Sequence, residues 1–136
     1  MQFSNSERPV LRIVVADDNR DTAISISVLL EKFGFKVVGV AFEGYTALDL
    51  IQSERPDVAI LDIALPQLDG YEIARRTRQS AISQPKLVAV TGLSQTCDRL
   101  DAAAAGFNAF FPKPINWIEL EELLRSYIPA RSIGDV

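Results

Sequence analysis

Apolar positions along this chain fall into two alternating patterns. Short, nearly continuous runs rich in β-branched residues recur over 11–16, 35–41, 58–62, 87–91 and 109–111. Such runs suit strands covered on both faces of a parallel sheet. The runs Leu-Arg-Ile-Val-Val-Ala and Val-Ala-Ile-Leu are the most continuous and are expected at its centre. The second run carries Lys36 and Gly39 and is expected nearer an edge. Between the runs the period changes to that of a helix. Ile26, Leu29, Leu30 and Phe33 form one apolar stripe, and Trp117, Leu120, Leu124 and Tyr127 form another. Ala47, Leu48 and Ile51 predict a helix over about 44–53, closed by Pro56. A third helix is expected over about 71–79, with Arg75, Arg76 and Arg78 as its solvated outer face. A fourth, alanine-rich and weakly striped, is expected over about 94–105 with Gly106 as its stop.

Strand and helix thus alternate along the whole chain with short connections, which calls for a parallel sheet with helices on both faces. The predicted fold is a three-layer α/β sandwich in one domain over 10–128, with an N-terminal extension at 1–9 and a tail at 129–136. Nine residues follow Tyr127, so no attached output domain is expected. Sheets of this kind bind ligands at the carboxyl ends of their strands, and the residues just after each strand therefore carry most weight.

Composition narrows the chemistry. The 136 residues are 48% hydrophobic, enough for one proper core, and 14 basic against 18 acidic residues leave a net charge of -4. That balance disfavours nucleic acid as a partner. The amino-terminal segment lacks an apolar signal core, and no apolar run reaches the ~18 residues of a spanning helix, so a cytoplasmic protein without membrane insertion is expected. There is no histidine, which rules out a histidine general base, a Ser-His or Cys-His nucleophile and a phosphohistidine within the chain itself. Cys97 is the sole cysteine, so any metal must be a hard cation held by oxygen.

The strand ends supply such oxygens. Asp17 and Asp18 follow the first run and Asp62 ends the third, so three carboxylates should converge at one edge of the sheet. Their repulsion calls for a cation, and magnesium accepts one or two carboxylates and a carbonyl while leaving room for a phosphate oxygen. Thr91 ends the fourth run and Lys113 follows the fifth, adding a hydroxyl and an ammonium beside the acids. Phosphoryl transfer needs such a set, with charge placed around the moving group's oxygens and a nucleophile held in line. Each part alone has a plainer use. An Asp-Asp pair suits a turn, Asn19 or Asp21 suits a helix cap, Thr91 suits a strand and Lys113 a solvated surface.

Taken together these residues resemble bacterial response-regulator receiver domains over about 10–128. The likeness runs through Val-Val-Ala-Asp-Asp-Asn-Arg-Asp (14–21), Leu-Asp-Ile-Ala-Leu-Pro-Gln-Leu-Asp-Gly-Tyr-Glu (61–72), Val-Ala-Val-Thr-Gly (88–92) and Phe-Phe-Pro-Lys-Pro (110–114). The resemblance implies a five-stranded sheet in the flavodoxin-like order 2-1-3-4-5. It implies that Asp62 is the phosphoacceptor and that Asp18 and Asp62 ligate Mg2+ with the Ala64 carbonyl, Asp17 helping through water. Thr91 and Lys113 would grip the phosphoryl oxygens, with Gly92 and Pro114 in support, Pro114 following a cis peptide that aims the ammonium inward. Pro66, Asp69 and Gly70 would shape the loop after Asp62.

The resemblance further implies a histidine kinase or histidine phosphotransfer protein as phosphodonor and a downstream protein target whose identity the sequence withholds. Phosphorylation would draw Thr91 inward and free space for Phe110, three positions before the lysine. Lacking a hydroxyl, Phe110 would switch by packing alone, and the readout would be the face of the fourth helix, fifth strand and fifth helix. Trp117 on that face is expected to serve the core. Ala64 and Leu93 are apolar where the family tunes hydrolysis, and slow self-dephosphorylation is expected. A receiver fold that works as an interaction module without phosphate is the alternative, disfavoured by the complete residue set. An enzyme is disfavoured too: Ala64 stands where aspartyl-phosphate phosphatases place a second acid, and no Gly-x-Gly-x-x-Gly opens the first helix. The motifs also look like receivers of hybrid kinases, although Met1 suggests a separate gene product.

Overall fold

The computed structural model describes residues 10–80, 84–92 and 99–129. Ten elements alternate along it: β1 (Arg12–Ala16), α1 (Arg20–Lys32), β2 (Lys36–Ala41), α2 (Gly44–Glu54), β3 (Val58–Asp62), α3 (Gly70–Gln79), β4 (Lys86–Thr91), α4 (Arg99–Ala105), β5 (Ala109–Pro112) and α5 (Trp117–Ser126). The strands form one sheet in the order β2-β1-β3-β4-β5, parallel at every pairing. The flavodoxin-like order expected from the resemblance is thus present, with β2 at an edge. The flanking expectations at 1–9 and 130–136 lie outside the described residues.

The two-residue period of the strands sorts their side chains into two cores, which is why the central runs must be apolar at nearly every position. Val14, Ala16, Ala59, Leu61, Leu87 and Ala89 face α2, α3 and α4, meeting Ala47, Ile51, Ile73, Ala74 and Ala102. Their neighbours Ile13, Val15, Val58, Ile60, Val88 and Val90 face α1 and α5, meeting Ala23, Ile26, Leu30, Leu120 and Leu124. The helix stripes read from the sequence are these contact faces, except that Leu29 is half-buried and belongs to neither core. Trp117 and Tyr127 are half-buried against the second core.

Local signals set the helix ends. Asn19 caps α1, its Oδ1 accepting the Thr22 N–H at 3.0 Å, while Asp21 lies in the first turn. Asp69 and Asn116 cap α3 and α5 in the same way. α2 ends at Arg55 in the left-handed conformation (φ 48°), one residue before Pro56, and α4 ends at Gly106 (φ 117°). The first part of the expected fourth helix, 94–98, lies outside the described residues.

Several expectations shift, most by one residue: β1 begins at Arg12, β4 begins at Lys86, β5 ends at Pro112 and α2 ends at Glu54. β2 begins at Lys36 rather than Phe35, which is buried just before the strand, and α3 begins at Gly70. Arg78 is not part of a solvated face with Arg75 and Arg76. Its guanidinium donates to the Gly106 carbonyl (2.9 Å), the Pro85 carbonyl (2.8 Å), Gln84 Oε1 (3.0 Å) and Asn108 Oδ1 (2.8 Å). It ties the end of α3 to the segments entering β4 and β5, because the backbone carbonyls there face no strand and need a donor. Among the described residues no helix is long and apolar enough to cross a membrane.

Candidate functional site

Register brings the expected residues to one edge. Ala16 pairs with Leu61 across β1 and β3, so Asp17 and Asp62 emerge side by side. Asp62 pairs with Val90 across β3 and β4, and Thr91 pairs with Pro112 across β4 and β5. Lys113 then follows β5, its N–H donating to the Thr91 carbonyl at 2.7 Å. Asp17, Asp18 and Asp62 each offer a carboxylate oxygen, and these atoms lie within 4.8 Å of one another. That spacing suits a shared hard cation, and all-oxygen donors are the chemistry it prefers.

The three acids are not equivalent. Asp17 is buried and fully engaged: Oδ1 accepts the Asn19 N–H at 2.9 Å, and Oδ2 accepts from Lys113 Nζ at 2.8 Å. Asp62 is buried, with Oδ1 accepting the Ala64 N–H at 3.0 Å and Oδ2 accepting from Lys113 Nζ at 3.2 Å. Asp18 is exposed, with its carboxylate at the mouth of the pocket. One ammonium therefore serves two buried carboxylates. Burial pushes the Asp62 carboxyl above the ordinary carboxylate range, although the Ala64 N–H and the Lys113 charge pull the other way. Burial by itself would lower the Lys113 ammonium, but its hydrogen bond to Asp17 and the two negative charges outweigh that and raise it.

The remaining expected residues lie on β4 and β5 and in the connections after β3, β4 and β5. Thr91 is buried at the end of β4, and Gly92 follows it half-buried. The Lys113-Pro114 peptide is cis. Phe110 is half-buried against the α2–α4 core, with the Arg99 guanidinium 5.3 Å from its ring centre. Ala64 is exposed beside the pocket, while Leu93 and Cys97 lie outside the described residues.

Two backbone features escaped the sequence reading. Gly70 was expected only as a turn residue, yet a Cβ there would stand 2.8 Å from Ile63 Cα and 3.0 Å from the Asp62 carbonyl. The loop after Asp62 folds back on itself, the Gly70 N–H meeting the Ile63 carbonyl at 2.8 Å, and only glycine allows that approach. Gly44 is tighter: a Cβ would fall 1.9 Å from the Leu68 carbonyl oxygen, so the start of α2 is keyed to the same loop. The only trace of this in the sequence is a glycine at each helix start, a signal shared with many ordinary turns.

Comparison with known proteins matches residues 13–125 to the family described as the response regulator receiver domain. The response regulator MprA of Mycobacterium avium (strain 104) is 39% identical over 114 residues, covering 84% of this chain and 48% of that protein. The chain spans about half the length of the curated relatives it matches. The Francisella response regulator 1452 receiver domain superposes with a TM-score of 0.78 at 27% identity, covering 87% of this chain and 96% of that one. The response regulator domain of Thermotoga maritima CheB does so at 0.77 and 25%, covering 90% and 99%. Sheet order, acid cluster and these matches agree, and the chain belongs to the response regulator receiver domain family of two-component signalling.

Proposed function

We propose that this domain is a phosphorylation switch that takes a phosphoryl group from a phosphohistidine onto Asp62. The observation that supports it most is the double contact of Lys113 Nζ with Asp17 and Asp62, beside a third carboxylate that faces solvent. A structural ion pair needs one acid per ammonium. Three acids around one lysine leave a charge deficit that a cation and a phosphoryl group together would fill.

In the proposed reaction the donor's P–N bond breaks as a P–O bond to an Asp62 carboxylate oxygen forms. The imidazole nitrogen keeps the electron pair of the broken bond and takes up a proton. Magnesium, when bound, supplies positive charge against the oxygens of the moving group; Asp17, Asp18, Asp62 and the Ala64 carbonyl would hold it. The Ala64 N–H, already on Oδ1, fixes the rotation of the Asp62 carboxylate. Lys113 would move from carboxylate to phosphoryl oxygen, and the buried Thr91 hydroxyl would donate to another. Lys113 exchanges one charge-assisted contact for another, and Thr91 exchanges a long bond to the Gly92 carbonyl (3.5 Å) for a charge-assisted one, so both shifts cost little. Phe110 would then repack next to α4, giving a readout on the α4-β5-α5 face.

The donor in this reading is a histidine kinase or a histidine phosphotransfer protein, the setting is cytoplasmic, and the output is a change of protein partner. The test is direct. The chain and its Asp62→Asn variant are incubated with magnesium and acetyl phosphate, then weighed intact. One phosphate adduct on the first and none on the second is expected; equal adducts on both would refute Asp62 as acceptor.

A further inference from the structure

We propose that Arg20, stacked on Phe42, is a specificity-determining residue that favours dianionic phosphodonors at the Asp62 pocket, an inference that rests on the phosphoacceptor reading above. Arg20 is the first residue of α1, two positions after Asp18, and is exposed. A cation there opposes the helix dipole, so local helix stability does not account for it. Acids are close in the chain at Asp17, Asp18 and Asp21, yet among the described residues none forms an ion pair with Arg20. Its guanidinium carbon instead lies 4.1 Å from the centre of the Phe42 ring.

Phe42 makes a firm seat. The preceding carbonyl, of Ala41, accepts the Asp17 N–H at 3.1 Å, and the Gly44 N–H two residues on donates to the Pro66 carbonyl at 3.0 Å. The β2-α2 connection is thereby tied to both the acid-bearing loop and the loop after Asp62, and the Arg20 stack spans the gap between the first two. The ends of β1, β2 and β3, the connections that follow them and the first turn of α1 carry Asp17, Asp18, Asp21, Glu43, Asp62 and Asp69, and Arg20 is the one cation over 17–21, 42–43 and 62–69. Apart from Lys113, whose ammonium is already shared between Asp17 and Asp62, the cation that a dianion meets along this acidic wall is Arg20. A guanidinium held by an aromatic face keeps its N–H edges free for phosphate oxygens. Charge at a rim acts mainly on encounter, and its effect grows with the charge of the incomer and falls with salt.

Two small donors separate charge from chemistry. With acetyl phosphate, a dianion at neutral pH, the P–O bond breaks as the bond to Asp62 forms, and acetate leaves with the electron pair. With phosphoramidate, a monoanion, the P–N bond breaks and ammonia leaves, its nitrogen already protonated. Initial rates of adduct formation are measured by intact mass, with magnesium, for the full chain and for Arg20→Ala, Arg20→Lys, Arg20→Glu and Phe42→Leu, across a salt series. Circular dichroism checks that each variant is folded. Arg20→Ala is expected to lose roughly two- to fivefold with acetyl phosphate at low salt and less with phosphoramidate, a size typical of a single rim charge. Arg20→Glu should lose more, Arg20→Lys less, and Phe42→Leu should resemble Arg20→Ala with a smaller loss. The acetyl phosphate rate of Arg20→Ala should also depend less on salt. Equal losses with both donors at every salt, or no loss in either Arg20→Ala or Arg20→Glu, overturns the proposal. A wild-type chain that takes phosphate from neither donor overturns the phosphoacceptor reading itself, and that result is distinct from the others.

Discussion

Replacing Lys113 with methionine keeps most of the side chain's bulk and removes its charge, which isolates what the ammonium does in the resting domain. The Asp17 and Asp62 side chains are 2% and 6% exposed, and both lean on this one ammonium, itself 28% exposed. Removing one partner of a fully buried pair costs about 3–5 kcal/mol because a charge is left without a counter-charge. Here water reaches the lysine, so the discounted expectation is about 2–3 kcal/mol. For a domain of this size that is a fall of roughly 6–15 °C in the unfolding midpoint. The assay is urea unfolding at pH 7 in a chelator, followed by Trp117 fluorescence and far-ultraviolet circular dichroism. Saturating magnesium should recover much of the deficit, since a divalent ion bound only by the folded chain offsets the same repulsion. Adding Asp62→Asn to Lys113→Met should also recover part of it, giving a coupling of about 1 kcal/mol or more in a double-mutant cycle. The sign with pH follows from the raised Lys113 ammonium. Its contribution is full below the value lysine has in the unfolded chain and fades as pH rises through its higher folded value, so the gap should persist at neutral pH, narrow in alkali, and narrow in acid as well once the Asp62 carboxyl takes up its proton. A Lys113→Met variant within about 0.5 kcal/mol of wild type in chelator would refute the shared-ammonium reasoning.

Further outcomes follow from the same geometry. Burial raises the Asp62 carboxyl, so its ionised form weighs against folding at pH 7; Asp62→Asn in chelator should be more stable by about 1 kcal/mol, with the advantage gone in acid, as thermal unfolding at two pH values will read. Gly44→Ala sets a methyl 1.9 Å from the Leu68 carbonyl, and the backbone there must move; a loss of about 3 kcal/mol or more in urea unfolding is expected, with slower adduct formation on Asp62. Arg78→Ala strips four acceptors of one donor, and should cost about 2–3 kcal/mol and lower hydrogen-exchange protection at the entries to β4 and β5. Its phosphorylation rate should be unchanged, because this clamp lies at the opposite edge of the sheet from the pocket.

Much of this protein was legible along the chain because two periods carry the fold. Near-continuous apolar runs can only be strands covered twice, and the stripe Ile26, Leu29, Leu30, Phe33 can only be a helix lying on such a sheet. The acids, the threonine and the lysine were legible as strand-end residues for the same reason, since a parallel sheet delivers every carboxyl end to one edge. The strand order was not deducible from periodicity, and family likeness supplied it. What tertiary structure alone decided were contacts between segments distant in the chain, where a residue type has no preferred meaning. Arg78 reads as one of three surface arginines until Gly106, Pro85 and Asn108 close around it. Gly44 reads as a helix start until the loop after Asp62 arrives within touching distance. Lys113 could be assigned to the pocket from sequence, but that it divides itself between Asp17 and Asp62 depends on side-chain distances and burial, which only packing sets.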